Sequence, residues 1–163
     1  MTNALIAELE QEAATTRRVL ERVPEDQLSW ASHPRSMTLG QLAYHIAVLP
    51  QAITGLVSEL TAPVPNVPLP EAGSVAEVLE TLEESIRVAR ERLSAWSEED
   101  MRQEWRMVNG EETILAVPRG GMLRAVMLNH WYHHRGQLTV YLRLLDVSVP
   151  SVYGPTADEK VFA

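Results

Sequence analysis

Apolar residues recur at three- and four-residue steps in four stretches of this chain, the spacing that lines one face of an α-helix. The first stretch runs from about Asn3 to Val23, with Leu5, Leu9, Ala13, Thr16, Leu20 and Val23 on its stripe, and Pro24 stops it. The second opens at Thr38, where Thr38-Leu39-Gly40-Gln41 reads as a capping box, and continues through Leu42, Ile46, Leu49, Ile53, Leu56 and Leu60. Pro50 falls inside this stripe and predicts a lost ladder hydrogen bond and a kink. A second capping box, Ser74-Val75-Ala76-Glu77, starts the third stretch, whose stripe is Val75, Val78, Leu82, Ile86, Ala89, Leu93 and Trp96. The fourth follows Pro118 and spans about Arg119 to Leu145, with Leu123, Met127, His130, His134, Leu138, Tyr141 and Leu145 in line.

The connections are polar, proline-rich or extended. Pro24-Glu25-Asp26 predicts a short turn, and Ala31 to Met37 a loop. Thr61 to Gly73 holds Pro63, Pro65, Pro68 and Pro70, a stiff link closer to polyproline II than to helix and long enough to cross a bundle from end to end. Ser97-Glu98-Glu99-Asp100 predicts one further helical turn. Asn109-Gly110, between Trp105-Arg106-Met107-Val108 and Thr113-Ile114-Leu115-Ala116, is a hairpin signal. After Asp146 the run Val149-Pro150-Ser151-Val152-Tyr153-Gly154-Pro155 predicts an irregular tail. These elements define an all-α, four-helix bundle forming a single domain over residues 1–163. A long crossover joins helices two and three, and a short hairpin or extended segment precedes helix four.

Composition narrows the function. The net charge is −8, and the basic residues are scattered arginines with Lys160 the sole lysine, so no basic surface exists for a nucleic-acid backbone. Without cysteine, disulfides, zinc–thiolate sites and a protein thiol nucleophile are excluded. No apolar run is long enough to span a membrane and no signal pattern opens the chain, so the expected location is cytoplasmic. A single Phe leaves the core to aliphatic side chains.

The placement of the five histidines carries the chemistry. His130 and His134 are four apart on a helix, so they share a face with Cβ atoms about 5–6 Å apart, within reach of one metal ion. Both lie on the apolar stripe and point inward. His45 lies on the inward stripe of another helix, between Leu42 and Leu49. Facing helices of bundles build metal sites in this way; the alternative is three core histidines satisfied by hydrogen bonds alone. His133, three residues after His130, is the alternative partner to His134, but its place at the edge of the stripe predicts a rim or surface role; His33 is expected in solvent. Gln137 and Tyr141 lie beyond His134 on or near the same stripe, where they either orient a ligand or, as the simpler expectation, pack between helices. Arg135 either binds an anionic substrate or, as the simpler expectation, sits in a surface salt bridge; Gly136 is expected at a close helix approach, and Trp131 and Tyr132 in the core or at a subunit interface. Helix four offers no inward carboxylate between Leu123 and Leu145, which weakens a hydrolase reading.

The segments Arg17-Arg18-Val19-Leu20-Glu21-Arg22-Val23-Pro24-Glu25, Ser36-Met37-Thr38-Leu39-Gly40-Gln41-Leu42-Ala43-Tyr44-His45-Ile46, His130-Trp131-Tyr132-His133-His134-Arg135-Gly136-Gln137-Leu138 and Pro150-Ser151-Val152-Tyr153-Gly154-Pro155 together resemble the DinB superfamily of bacterial four-helix bundles. The resemblance implies an up-down-down-up bundle, homodimers in many members, and a metal triad that falls on His45, His130 and His134. It also implies, for some members, thiol-dependent S-transferase or isomerase activity with a low-molecular-weight thiol such as bacillithiol or mycothiol.

The expectation that follows is a divalent metal ion, Zn or Ni, held by three histidines with open coordination positions, activating a thiol toward a small electrophile. Imidazole chemistry leaves Cu and Fe open as well. The competing expectation is a non-catalytic metal-binding or stress-related dimeric bundle.

Overall fold

The computed structural model describes residues 2–67 and 69–160, so Pro68 of the crossover lies outside the described residues. It is mostly helical, with a small three-stranded sheet that corrects the all-α expectation. The long helices are α1 (Thr2–Leu20), α2 (Leu39–Leu56), α3 (Val75–Ala95) and α6 (His130–Leu144). They pack in a ring, α1 on α3, α3 on α2, α2 on α6 and α6 on α1. Leu9, Leu20, Leu42, Ile46, Leu93 and Trp131 are fully buried between them. Among the described residues no helix is long and apolar enough to cross a membrane.

Local chemistry explains the helix starts. Thr38 and Gln41 form the full capping box. At Ser74 only half of the expected box forms: its hydroxyl accepts from Glu77 N–H, while the Glu77 carboxylate accepts from Gly73 N–H instead. Ser97 and Asp100 form a complete box for α4 (Glu98–Arg102). Gly40 permits a close approach, since a Cβ there would lie 2.9 Å from Glu71 Cγ and 3.1 Å from Leu28 O.

Helix α2 continues through Pro50, and the neighbours repair the break. Proline has no N–H, so the Ile46 carbonyl loses its usual partner four residues on. The Trp131 indole N–H, from α6, donates to Ile46 O at 2.9 Å. Gln51 N–H donates to Ser85 Oγ of α3 at 3.0 Å. Both Trp131 and Ser85 are buried, so the proline is tied to two other helices.

The sheet orders β1 (Thr61–Pro63), β2 (Glu104–Asn109) and β3 (Glu112–Pro118). The hairpin read from Asn109-Gly110 is β2–β3, with Asn109 paired to Glu112 and Gly110 at φ 61°. Glycine at the first of the two turn positions is the type II′ pattern. Ile114 is an extra residue between the Met107–Leu115 and Val108–Thr113 pairs. The crossover contributes β1, parallel to β2 with Ala62 opposite Met107. Its proline sits on an edge strand, where the missing N–H costs no ladder bond.

Between β3 and α6 the chain forms α5 (Arg119–Met122) and a π-helical segment, Leu123–Asn129, that runs directly into α6. The buried Arg119 side chain donates to Val57 O at 2.9 Å, Ser58 O at 3.2 Å and Asp100 O at 3.2 Å. A guanidinium at the C-terminal end of α2 satisfies carbonyls that the helix leaves open and opposes its dipole.

Candidate metal centre

Helix α2 presents His45, and the first residues of α6 present His130 and His134. Their positions are linked through the proline repair, because Ile46 follows His45 and Trp131 follows His130. The three rings converge, with centroids 5.5 Å apart for His45–His130, 4.6 Å for His45–His134 and 4.4 Å for His130–His134. One ligating atom from each lies within 4.8 Å of the others, and among the described residues no carboxylate joins the group.

Hydrogen bonding sets the tautomer of His134. Its Nδ1–H donates to Gln137 Oε1 at 2.7 Å, so Nε2 carries the lone pair toward the cluster. That Nε2 meets His130 Nε2 at 2.6 Å. Burial lowers the pKa of all three rings below the ordinary histidine value. For His45 the neighbouring His130 adds to it, and for His130 the neighbouring His133 does. His134 is pushed down to about 4, against a smaller opposing effect of Gln137. The cluster is therefore neutral at physiological pH, the protonation state that metal ligands need.

The donor set fits a divalent cation. Two imidazole–metal bonds of about 2.0–2.1 Å separate their nitrogens by roughly 3 Å, so His130 and His134 need side-chain shifts of less than about 1 Å. The Gln137 bond to His134 is the kind of outer contact that orients a metal-bound imidazole.

His45 and His130 also border a cavity of about 500 Å³ between α2, the π-helical segment, β2 and the crossover. Sequence reading missed this cavity, since its walls come from segments far apart in the chain.

Other expectations fared unevenly. His133 is exposed, as expected of a rim residue, and its ring centroid lies 5.0 Å from that of His134. Gln137 reaches the cluster, so packing alone does not account for it. Tyr141 packs instead, edge-on to Trp30 and donating to Met37 O at 3.2 Å. Trp131 is core, while the Tyr132 hydroxyl donates to Glu8 at 2.8 Å. Arg135 is not at the surface. It is 1% exposed and paired with Glu12 at 2.6 Å, with further bonds to Thr16 and Tyr153. Gly136 meets no neighbour, since a Cβ there would have nothing within 4 Å. His33 accepts from Arg35 N–H in its exposed loop.

Fold and cluster together define a helical protein with an inward-facing group of three neutral histidines beside an apolar cavity. The sequence profile of the DinB family matches residues 1–160, and the chain belongs to that family. The uncharacterised protein YrdA of Bacillus subtilis strain 168 is 25% identical over 151 residues, covering 92% of this chain and 86% of YrdA. A DinB-like protein of Bacillus cereus ATCC 10987 superposes with a TM-score of 0.71 at 25% identity, covering 93% of this chain and 97% of its own. A DinB-like protein of Bacillus subtilis superposes with a TM-score of 0.70 at 17% identity, covering 91% and 96% of the two chains, and shows the shared fold.

Proposed function

We propose that this chain is a single domain that holds one divalent cation, Zn or Ni, through His45, His130 and His134, and uses it to transfer a low-molecular-weight thiol to a small electrophile. The observation that carries the reading is the convergence of three neutral imidazoles, with no carboxylate among them, at the edge of a cavity. A cation held by three protein ligands keeps positions open and lowers the pKa of a thiol bound there. Gln137 fixes the ring of His134, while His45 and His130 face the cavity from opposite helices. In the transfer the thiol gives up its proton to solvent, a sulfur–carbon bond forms, and the leaving group departs with its electron pair.

The same reading has the chain working as a homodimer. Val140 and Leu144 support it, because they stand 57% and 59% exposed one turn apart on α6, on the face that Gly136 leaves open.

Elemental analysis of purified protein beside His134→Ala is the first test, followed by thiol conjugation with bacillithiol and mycothiol. About one equivalent of metal, lost in the variant, together with conjugation by the loaded wild type, supports the reading. Metal without conjugation for any thiol leaves a non-catalytic binder and refutes the transferase. Sedimentation as a monomer at assay concentration refutes the dimer.

A further inference from the structure

The cavity beside the histidines has a chemistry of its own. Tyr44, Val48, Ile53 and Leu56 of α2 form one side and Met122 and Val126 the other. Met107 and the crossover border the third side, the latter through Pro65, Val67 and Pro70, which remain exposed to solvent. None of the lining residues is Asp, Glu, Lys or Arg; apart from the two imidazoles, only Tyr44 and Asn66 offer polar side-chain atoms. A volume of about 500 Å³ falls within the range of small-molecule sites. It is too small for a helix, and its size suits a small molecule.

The continuous run from α5 through the π-helical segment into α6 builds one wall. Met122, Val126 and His130 follow one another at four-residue steps. In an α-helix such steps overshoot one turn, and the face drifts. The π-helical segment Leu123–Asn129 spans both steps, and all three side chains line the cavity. His130 follows directly at the C-terminal end of this apolar wall.

We propose that this cavity binds an uncharged, largely apolar small molecule with its reactive atom directed to the His45–His130 end. The identification of that molecule as the electrophile rests on the transferase reading above; the binding itself does not. A charged ligand would lose its hydration with no counter-charge in the wall. Tyr44 and Asn66 accommodate one or two neutral polar atoms on the ligand. An aryl-methyl halide such as benzyl chloride meets these terms: the thiol sulfur bonds to the benzylic carbon and chloride leaves with the bonding pair.

The test is binding to metal-free protein, so that it does not depend on catalysis. Nile red fluorescence reports occupancy, with naphthol and naphthoate as neutral and anionic competitors at neutral pH. Naphthol is expected to displace the dye at least about tenfold more tightly than naphthoate. Ala52 lines the cavity and is solvent-exposed, so Ala52→Trp and Ala52→Glu leave the core intact. Each is expected to weaken the dye about tenfold or more, one by filling the space and the other by charging it. Equal or tighter binding of naphthoate overturns the proposal, as does unchanged dye binding in both Ala52 variants. Saturable naphthol binding without thiol transfer by the metal-loaded protein would sink the transferase reading and leave this site standing. Efficient transfer to charged electrophiles only would do the reverse.

Discussion

The bond from the Trp131 indole to Ile46 O invites a direct test, because it exists only where Pro50 has removed a helix donor. Trp131→Phe deletes the N–H and leaves Ile46 O buried without that partner. A lost bond of this kind costs about 1–3 kcal/mol. The smaller ring leaves unfilled volume in a fully buried position, which adds about 1 kcal/mol. The expected loss is therefore about 2–4 kcal/mol in urea unfolding followed by far-ultraviolet circular dichroism. Pro50→Ala supplies the cure, because the substitution restores a backbone N–H four residues after Ile46. In that background Trp131→Phe should cost about 1–2 kcal/mol less, a coupling read from the double-mutant cycle. If the two changes add within about 0.5 kcal/mol, the indole does not replace the proline's missing donor and the account of α2 is wrong.

Three other outcomes follow from the structure. Gly136→Ala should raise stability by about 0.5–1 kcal/mol, since the position is exposed, helical and uncrowded; destabilisation of the isolated chain would expose a contact missed there. Glu12→Gln should cost about 3–5 kcal/mol by leaving the buried Arg135 charge unpaired, whereas the paired change Glu12→Leu with Arg135→Met should recover most of it; thermal melts of the three proteins decide. The tail should loosen in acid. Arg143 foremost holds the Asp158 carboxyl below its ordinary value, and the Ser151 N–H foremost does so for Glu159, aided by Arg18 and Arg22. Groups with depressed folded pKa values contribute fully above their unfolded value, at most about 4.5, and lose that contribution as the pH falls through the folded ones. Hydrogen exchange at Val149 and Ser151, which donate to these carboxylates, should therefore accelerate below that pH relative to core amides, and a constant ratio would count against the clamp.

Much of the fold was legible because helix periodicity and cap chemistry are local. Thr38 and Gln41 are three residues apart, so their reciprocal bonds depend on nothing distant, and the hairpin at Gly110 depends only on a turn conformation that glycine tolerates. Ser74 shows where locality ends. Its partner Glu77 had a choice of two backbone donors and took Gly73, which no spacing rule distinguishes. Strand β1 was missed for a related reason. Thr61–Pro63 carries a proline-rich composition that correctly predicts extended backbone, but whether an extended segment pairs depends on what lies beside it, and β2 is more than forty residues away.

The candidate site divides along the same line. His130 and His134 are neighbours by helix geometry alone, so their pairing could be read from four-residue spacing. Bringing His45 to them requires two helices to stop at one particular register. The structure supplies that register through an exchange no pattern encodes: Pro50 takes a donor out of α2 one turn past His45, and Trp131, next to His130, returns one. Arg135 was misplaced for want of similar information. An arginine on the far side of α6 reads as a surface residue until Glu12 of α1 is known to face it, and a buried ion pair is tolerated only because Thr16 and Tyr153 meet its remaining donors. One turn of α6 thus carries inward histidines on one side and a buried cation on the other. Gly136, between them, has neither task, and that is where the helix is open to substitution.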